Sequence, residues 1–314
     1  MTVNAMLIIS KVNQRSTSYK STATILKENS EILVDAVTVK SVTNHIGSLV
    51  FKHELDKAKA RYEVLNSGKM EFTKYKKDDI LYIIVNGCKI KTRLQDENIK
   101  PIWHETKLGI VYSYTDKCSI KQRRVRIQED KGSQDGELKD RHQTTKKDYV
   151  AFNGSEDIFK ILLFNCAIRN GYGLYKRTVL LSDGATWIRN MKDELFADAQ
   201  LILDFFHLSE KILDFDKIYY HNDKDKYDLW CQDICRKFLE SKWENVLKMI
   251  QIVEDKLQLK KNKLSTYILN NKNNIDYAAY KKDKLDIISG AIESSNKNVI
   301  QRKMEEPEKR WHRK

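Results

Sequence analysis

Leu180-Leu181-Ser182-Asp183-Gly184-Ala185-Thr186-Trp187-Ile188-Arg189 is the stretch on which the reading of the chain turns. The apolar run Thr178 to Leu181 ends at an acid and a glycine, and a helical pattern starts straight after. That layout is a buried strand delivering Asp183 to its C-terminal end, with Gly184 making the turn. In open α/β sheets this edge is where ligands bind. A second copy follows, in which the strand-like run Ala199 to Leu203 leads into Asp204-Phe205-Phe206-His207 and another helix. Far downstream, Ser289-Gly290-Ala291-Ile292-Glu293-Ser294-Ser295-Asn296-Lys297 sets Glu293 at a polar helix start.

Upstream of this stretch the pattern is β. Ile80 to Val85 has the composition of a buried strand and runs into Asn86-Gly87, and Leu108 to Tyr114 is a second strand. Gln122 to Gln128 alternates basic and apolar residues and suits a third. Glu129 to Lys147 carries no apolar period, and Tyr149 to Phe152 is a short strand or a connector. Ser155-Glu156-Asp157 opens a helix that Asn170-Gly171-Tyr172-Gly173 ends. Three strands, a helix, the Asp183 strand, a helix and the Asp204 strand predict an α/β fold (an α+β mixed sheet) of ribonuclease-H-like layout, with its core over 79–207. Residues 208–285 read as a large helical insertion, and 286–314 as a C-terminal helix carrying Glu293.

The first 50 residues read as a small helical module. Ser16-Thr17-Ser18-Tyr19 caps a helix through Ala23 to Glu28, and a second helix from Val37 to Ile46 stops at Gly47. Two short helices with a tight break fit a helix-turn-helix, which lays its second helix in a DNA groove and turns Lys40, Thr43 and Asn44 to the duplex. Two packed helices without a ligand fit the same pattern. Residues 51–78 read as a charged linker helix and connector.

Composition narrows the partners. A chain of 314 residues with 41% apolar and 32% charged residues supports a real core and excludes a disordered chain. No apolar run approaches the ~18 residues of a membrane span, so the expected location is cytoplasmic and no membrane partner is expected. A net charge of +13 favours a polyanion, of which nucleic acid is the commonest. Cys88, Cys118, Cys166, Cys231 and Cys235 form neither a disulfide nor a zinc spacing and read as buried thiols.

The acids suit one chemistry. In two-metal phosphoryl transfer, carboxylates from separate elements hold two divalent ions about 3.5–4 Å apart. Oxygen ligands suit Mg2+ or Mn2+. Asp183 and Glu293 fill two of the three acid positions such a sheet uses; Asn86 stands at the first, on the strand where an acid is expected. Its amide oxygen can ligate a hard cation but carries no charge. Asp204 and His207, three apart where strand becomes helix, can both point to the same edge and touch substrate or order a ligand. Each feature has a plainer reading: Asp183-Gly184 as a common turn, Asp204 and His207 as a capping acid and a core histidine, Glu293 as a first-turn acid.

The segments Ser182 to Ile188, Leu203 to Leu208 and Ser289 to Ser294, with the strand Leu81 to Lys91 and the run Lys107 to Tyr112, resemble those of bacterial insertion-sequence transposases of the ISLre group, relatives of the Mutator-like transposases. The resemblance covers roughly residues 20 to 310, with its separated motifs in the same order. It implies a ribonuclease-H-like domain with a helical insertion, an N-terminal helix-turn-helix, and DNA strand cleavage and joining with two Mg2+ (or Mn2+) ions. The acid triad it implies falls on Asn86, Asp183 and Glu293, with Asp183 and Glu293 as metal ligands and Asp204 and His207 on the acid-x-x-His signature of the superfamily. It also implies DNA ends and target as partners, and a homo-oligomer on DNA. Asn86 departs from the family's acid, and the chain stops soon after the Glu293 helix. Both departures lead us to expect a decayed copy; the alternative is a non-catalytic DNA-binding protein on a transposase scaffold.

Overall fold

The computed structural model describes residues 1–16, 18–72, 77–92, 102–114, 147–220, 224–258 and 263–290. The predicted strand Gln122 to Gln128, Cys118 and Glu293 lie outside the described residues. Five strands form one mixed sheet: β1 Lys77–Thr92, β2 Ile102–Tyr114, β3 Asp148–Phe152, β4 Tyr175–Ser182 and β5 Gln200–Leu203. Their order is β3-β2-β1-β4-β5. The β1–β2 and β2–β3 pairs are antiparallel, and β1–β4 and β4–β5 are parallel. Tyr149 to Phe152 is therefore a strand of the sheet rather than a connector.

Helices cover both faces, which is why the central strands read as unbroken apolar runs. On one face Leu81, Ile83, Val85 and Leu180 pack against Phe159 and Leu163 of α4 (Glu156–Arg169) and Ile188, Met191 and Leu195 of α5 (Thr186–Leu195). On the other face Tyr82, Ile84, Val179, Leu181 and Ile202 pack under the helices that follow β5. These are α6 Phe205–Tyr220, α7 Lys224–Leu239, α8 Trp243–Lys256, α9 Leu264–Asn270 and α10 Tyr277–Lys282. The expected helical insertion is thus a layer packed on the sheet.

Two punctuation signals do not act as the sequence suggests. Asn86-Gly87 does not end β1, because the ladder with β2 continues through Asn86↔Leu108 and Gly87↔Lys107 to Thr92↔Ile102. Nor does Gly47 end a helix. The N-terminal helices are α1 Val3–Arg15, α2 Tyr19–Asn29 and α3 Ala36–Asn66, and α3 runs straight through Gly47. An interior glycine costs a helix only ~1 kcal/mol relative to alanine. Beyond it Leu55, Ala58 and Tyr62 form a stripe that packs on Ile158, Ile161 and Leu162 of α4, which outweighs that cost. Arg61 donates to the Asn165 carbonyl at 3.1 Å, and Glu54 pairs with Arg169 at 2.5 Å. Residues 51–66 are therefore a docked helix, not a linker.

At the other end, α3 joins α1 and α2 around Ile9, Leu26, Val39 and Val42. Ser18 caps α2 and Asp35 caps α3 through Thr38 N–H at 2.7 Å. The module is a three-helix cluster rather than the expected two-helix pair.

Candidate functional site at the C-terminal edge of the parallel strands

Register brings the candidate residues to one edge. Val85 lies opposite Ser182, and Ser182 opposite Leu203, so Asn86, Asp183 and Asp204 lie side by side where the parallel pairing ends, Asn86 on a β1 that continues beside β2. Neighbouring strands lie about 4.8 Å apart. Side chains alternate along a strand, and Ile84, Leu181 and Ile202 all belong to the core shared with the helical layer that α6 opens. Asn86, Asp183 and Asp204, two residues beyond each, share that face.

The edge opens into a cleft of about 470 Å³ lined by Asn86, Gly87, Asp183, His207, Glu210, Lys211, Leu213, Asp214 and Lys217. The last six are a stripe along α6. Asp183 is held at the mouth of this cleft by local geometry. Gly184 takes φ +85°, a conformation that favours glycine, and a Cβ there would lie 2.8 Å from Leu203 Cδ1 and 2.9 Å from Asn271 Nδ2. Asp183 Oδ1 accepts from the Ala185 N–H at 2.9 Å, which settles the start of α5 where Ala185 offers no side-chain cap. From α9, the Tyr267 hydroxyl donates to the Asp183 carbonyl at 2.7 Å. The buried Asn271 side chain donates to the Tyr267 carbonyl at 2.9 Å and accepts from Arg189 at 3.4 Å. Burial, with Asp183, Asp204 and Glu210 nearby, raises the Tyr267 phenol and keeps it a donor.

His207 lies on the cleft, its Nδ1 3.2 Å from Glu210 and its Nε2 3.8 Å from Asp204. Asp204 does not line the cleft. It is 1% exposed, and its carboxylate accepts from Phe206 N–H at 3.0 Å, from Ser289 N–H at 3.2 Å and from the Ser289 hydroxyl. Burial raises its carboxyl above the ordinary range, against the lowering effect of those donors and of His207. The Asp204 oxygens are thus taken up inside the protein, and of its two expected roles, touching substrate or ordering a ligand, this burial speaks against the first.

On the other face of the edge, Lys107 is buried. Its Nζ donates to the Gly154 carbonyl at 3.2 Å, lies 4.0 Å from Glu105 and stands 5.7 Å from the centre of the Trp187 ring. It braces the first turn of α5 from behind.

The described donors do not fit a pair of divalent ions on their own. A two-ion centre takes several carboxylates. Asp183 supplies one and Asn86 supplies a neutral amide. Among the described residues, no three His, Cys, Asp or Glu side chains come together as a metal site. Glu210 and Asp214 line the same cleft, Glu210 beside His207 and Asp214 paired with Lys217 at 2.9 Å.

In the N-terminal module Lys40 and Asn44 are exposed on one side of α3, one turn apart. Thr43, beside them on α3, is half-buried; its hydroxyl is buried and has no hydrogen-bond partner among the described residues. Cys166, Cys231 and Cys235 are buried free thiols, and burial pushes Cys166 up to about 11. No described helix is long and apolar enough to cross a membrane.

Sequence reasoning missed Glu210, Lys211, Asp214 and Lys217, although with His207 they recur at three- and four-residue spacing. It also missed Tyr267 and Asn271. No protein-family model matches the chain, and no curated protein matches it.

Proposed function

We propose that the chain is a DNA-binding protein on a ribonuclease-H-like transposase scaffold, with a strand-cleavage centre one acid short. The observation that carries the reading is the edge itself. Asn86, within β1, and Asp183, just after β4, lie on adjacent strands of a β3-β2-β1-β4-β5 sheet where their parallel pairing ends, and both line one cleft. Chain connectivity supports the third position: four peptide units separate Ser289 from Glu293, a reach of at most about 14 Å. A net charge of +13 supports a polyanionic partner. Lys40 and Asn44 give α3 a polar exposed face suited to a DNA groove. Assembly as a homo-oligomer on DNA belongs to the same proposal.

Mg2+ or Mn2+ is the ion this centre would take, with Asp183 and Glu293 as its anionic ligands. A bound ion polarises phosphoryl oxygens and activates water. With Asn86 at the remaining position, one negative charge is missing, which weakens ion binding. Asn86 is also the observation that favours the second reading, a protein that binds DNA without cutting it.

The test is nicking of supercoiled plasmid DNA with Mg2+ or Mn2+, beside DNA binding over a salt series. Both readings expect affinity that falls steeply with salt. Asn86→Asp is expected to nick on the order of a hundredfold faster than the unmodified chain. Salt-indifferent or absent DNA binding overturns the proposal. Equal and measurable nicking by the two chains overturns the missing-acid reading, and no nicking by either favours the non-catalytic one.

A further inference from the structure

Asp204 presents an acid that is almost fully enclosed, and its surroundings say what it holds. Two of its three hydrogen-bond donors, the N–H and hydroxyl of Ser289, come from 85 positions further along the chain. The third, Phe206 N–H, is local and starts α6. Residues 285–289 form neither helix nor strand. The segment is tied down by Asp286 N–H donating to the Tyr82 hydroxyl at 3.1 Å, by Phe205 N–H donating to the Ile287 carbonyl at 2.9 Å, and by the Asp204–Ser289 pair. The last is the strongest of the three, because its acceptor is a buried carboxylate. His207, one turn on, lies on the cleft side. The two signature residues therefore point to different tasks.

We propose that Asp204 is a positioning residue that pins Ser289, and with it the return of the chain from the helical layer, against the sheet edge beside Asp183. It does not touch DNA or a metal ion. Ser289 is its specific partner, and the N–H and hydroxyl of one residue fill both carboxylate oxygens. Only the activity arm of the test below rests on the proposed DNA chemistry.

The experiment compares the full chain with Ser289→Ala, Ser289→Thr and Asp204→Asn. Hydrogen exchange of peptides spanning 285–290 is the primary readout. Ser289→Ala is expected to speed exchange there by about tenfold or more, with β1 and β4 unchanged, and Ser289→Thr to restore slow exchange because it keeps the hydroxyl. Exchange in Ser289→Ala within about twofold of the unmodified chain overturns the proposal, as does a Ser289→Thr variant as fast as Ser289→Ala. In the Asn86→Asp background, Asp204→Asn is expected to lower the nicking rate with DNA affinity unchanged. A loss of DNA affinity as large as the loss of rate makes Asp204 a DNA contact and also overturns the proposal. If Asn86→Asp does not nick, the exchange result decides on Asp204, and only the cleavage reading falls.

Discussion

Asp183 and Asp204 are the same residue type in matching places: each follows the last paired residue of a parallel strand, on neighbouring strands and on the same face. Their fates differ. Over the exit of β5 lie residues 286–289, whose donors fill the Asp204 carboxylate. Over the exit of β4, α9 takes only the backbone carbonyl of Asp183 and leaves the carboxylate at the cleft. An acid at a strand end is thus a candidate by topology alone. The element packed over it decides whether its charge faces a ligand or a neighbouring hydrogen-bond donor.

The contrast can be broken by truncating each acid in turn. Asp204→Ala strands the buried donors of Ser289 and is expected to cost about 3 kcal/mol in urea unfolding, against less than about 1 kcal/mol for Asp183→Ala. Equal losses would erase the difference between the two exits. Gly184→Ala puts a methyl into the gap between Leu203 and Asn271 at a positive φ, with an expected loss of about 2 kcal/mol. Gly47→Ala, in a helix with open space around that position, is expected to gain up to about 1 kcal/mol in the same assay. Tyr267→Phe removes one hydroxyl bond to the Asp183 carbonyl and is expected to cost about 1 kcal/mol, with faster amide exchange over 183–186. A Tyr267→Phe chain that exchanges like the unmodified one would show that the Asp183 turn holds itself.

The β4 exit was legible from sequence because its signals are local. An apolar run, an acid, a glycine and a helical period fall within ten residues, and the structure forms β4, the Gly184 turn and α5 from them. The Ser155 cap and the helix after it were legible for the same reason. Gly47 and Asn86-Gly87 misled because a turn signal is weaker than burial on both sides of it. Docking on α4 carries α3 through Gly47, and long-range pairing with β2 carries β1 through Asn86-Gly87. The α6 stripe was present as a spacing, but a mixed-charge stripe reads as solvated until a sheet edge is placed beside it. The hold of Tyr267 on Asp183 spans 84 positions, and the Asp204–Ser289 pair spans 85, so neither leaves a local trace.

Titration of Mn2+ into the full chain by calorimetry, comparing the unmodified protein, Asn86→Asp and Asn86→Asp combined with Asp183→Asn, tests the proposed metal-binding role of this edge most directly. Restoring the acid is expected to tighten Mn2+ binding by about tenfold or more, and removing the Asp183 charge to abolish the gain. Binding that is no tighter in Asn86→Asp, or a gain that survives Asp183→Asn, would contradict the claim that these two positions form one metal-dependent edge.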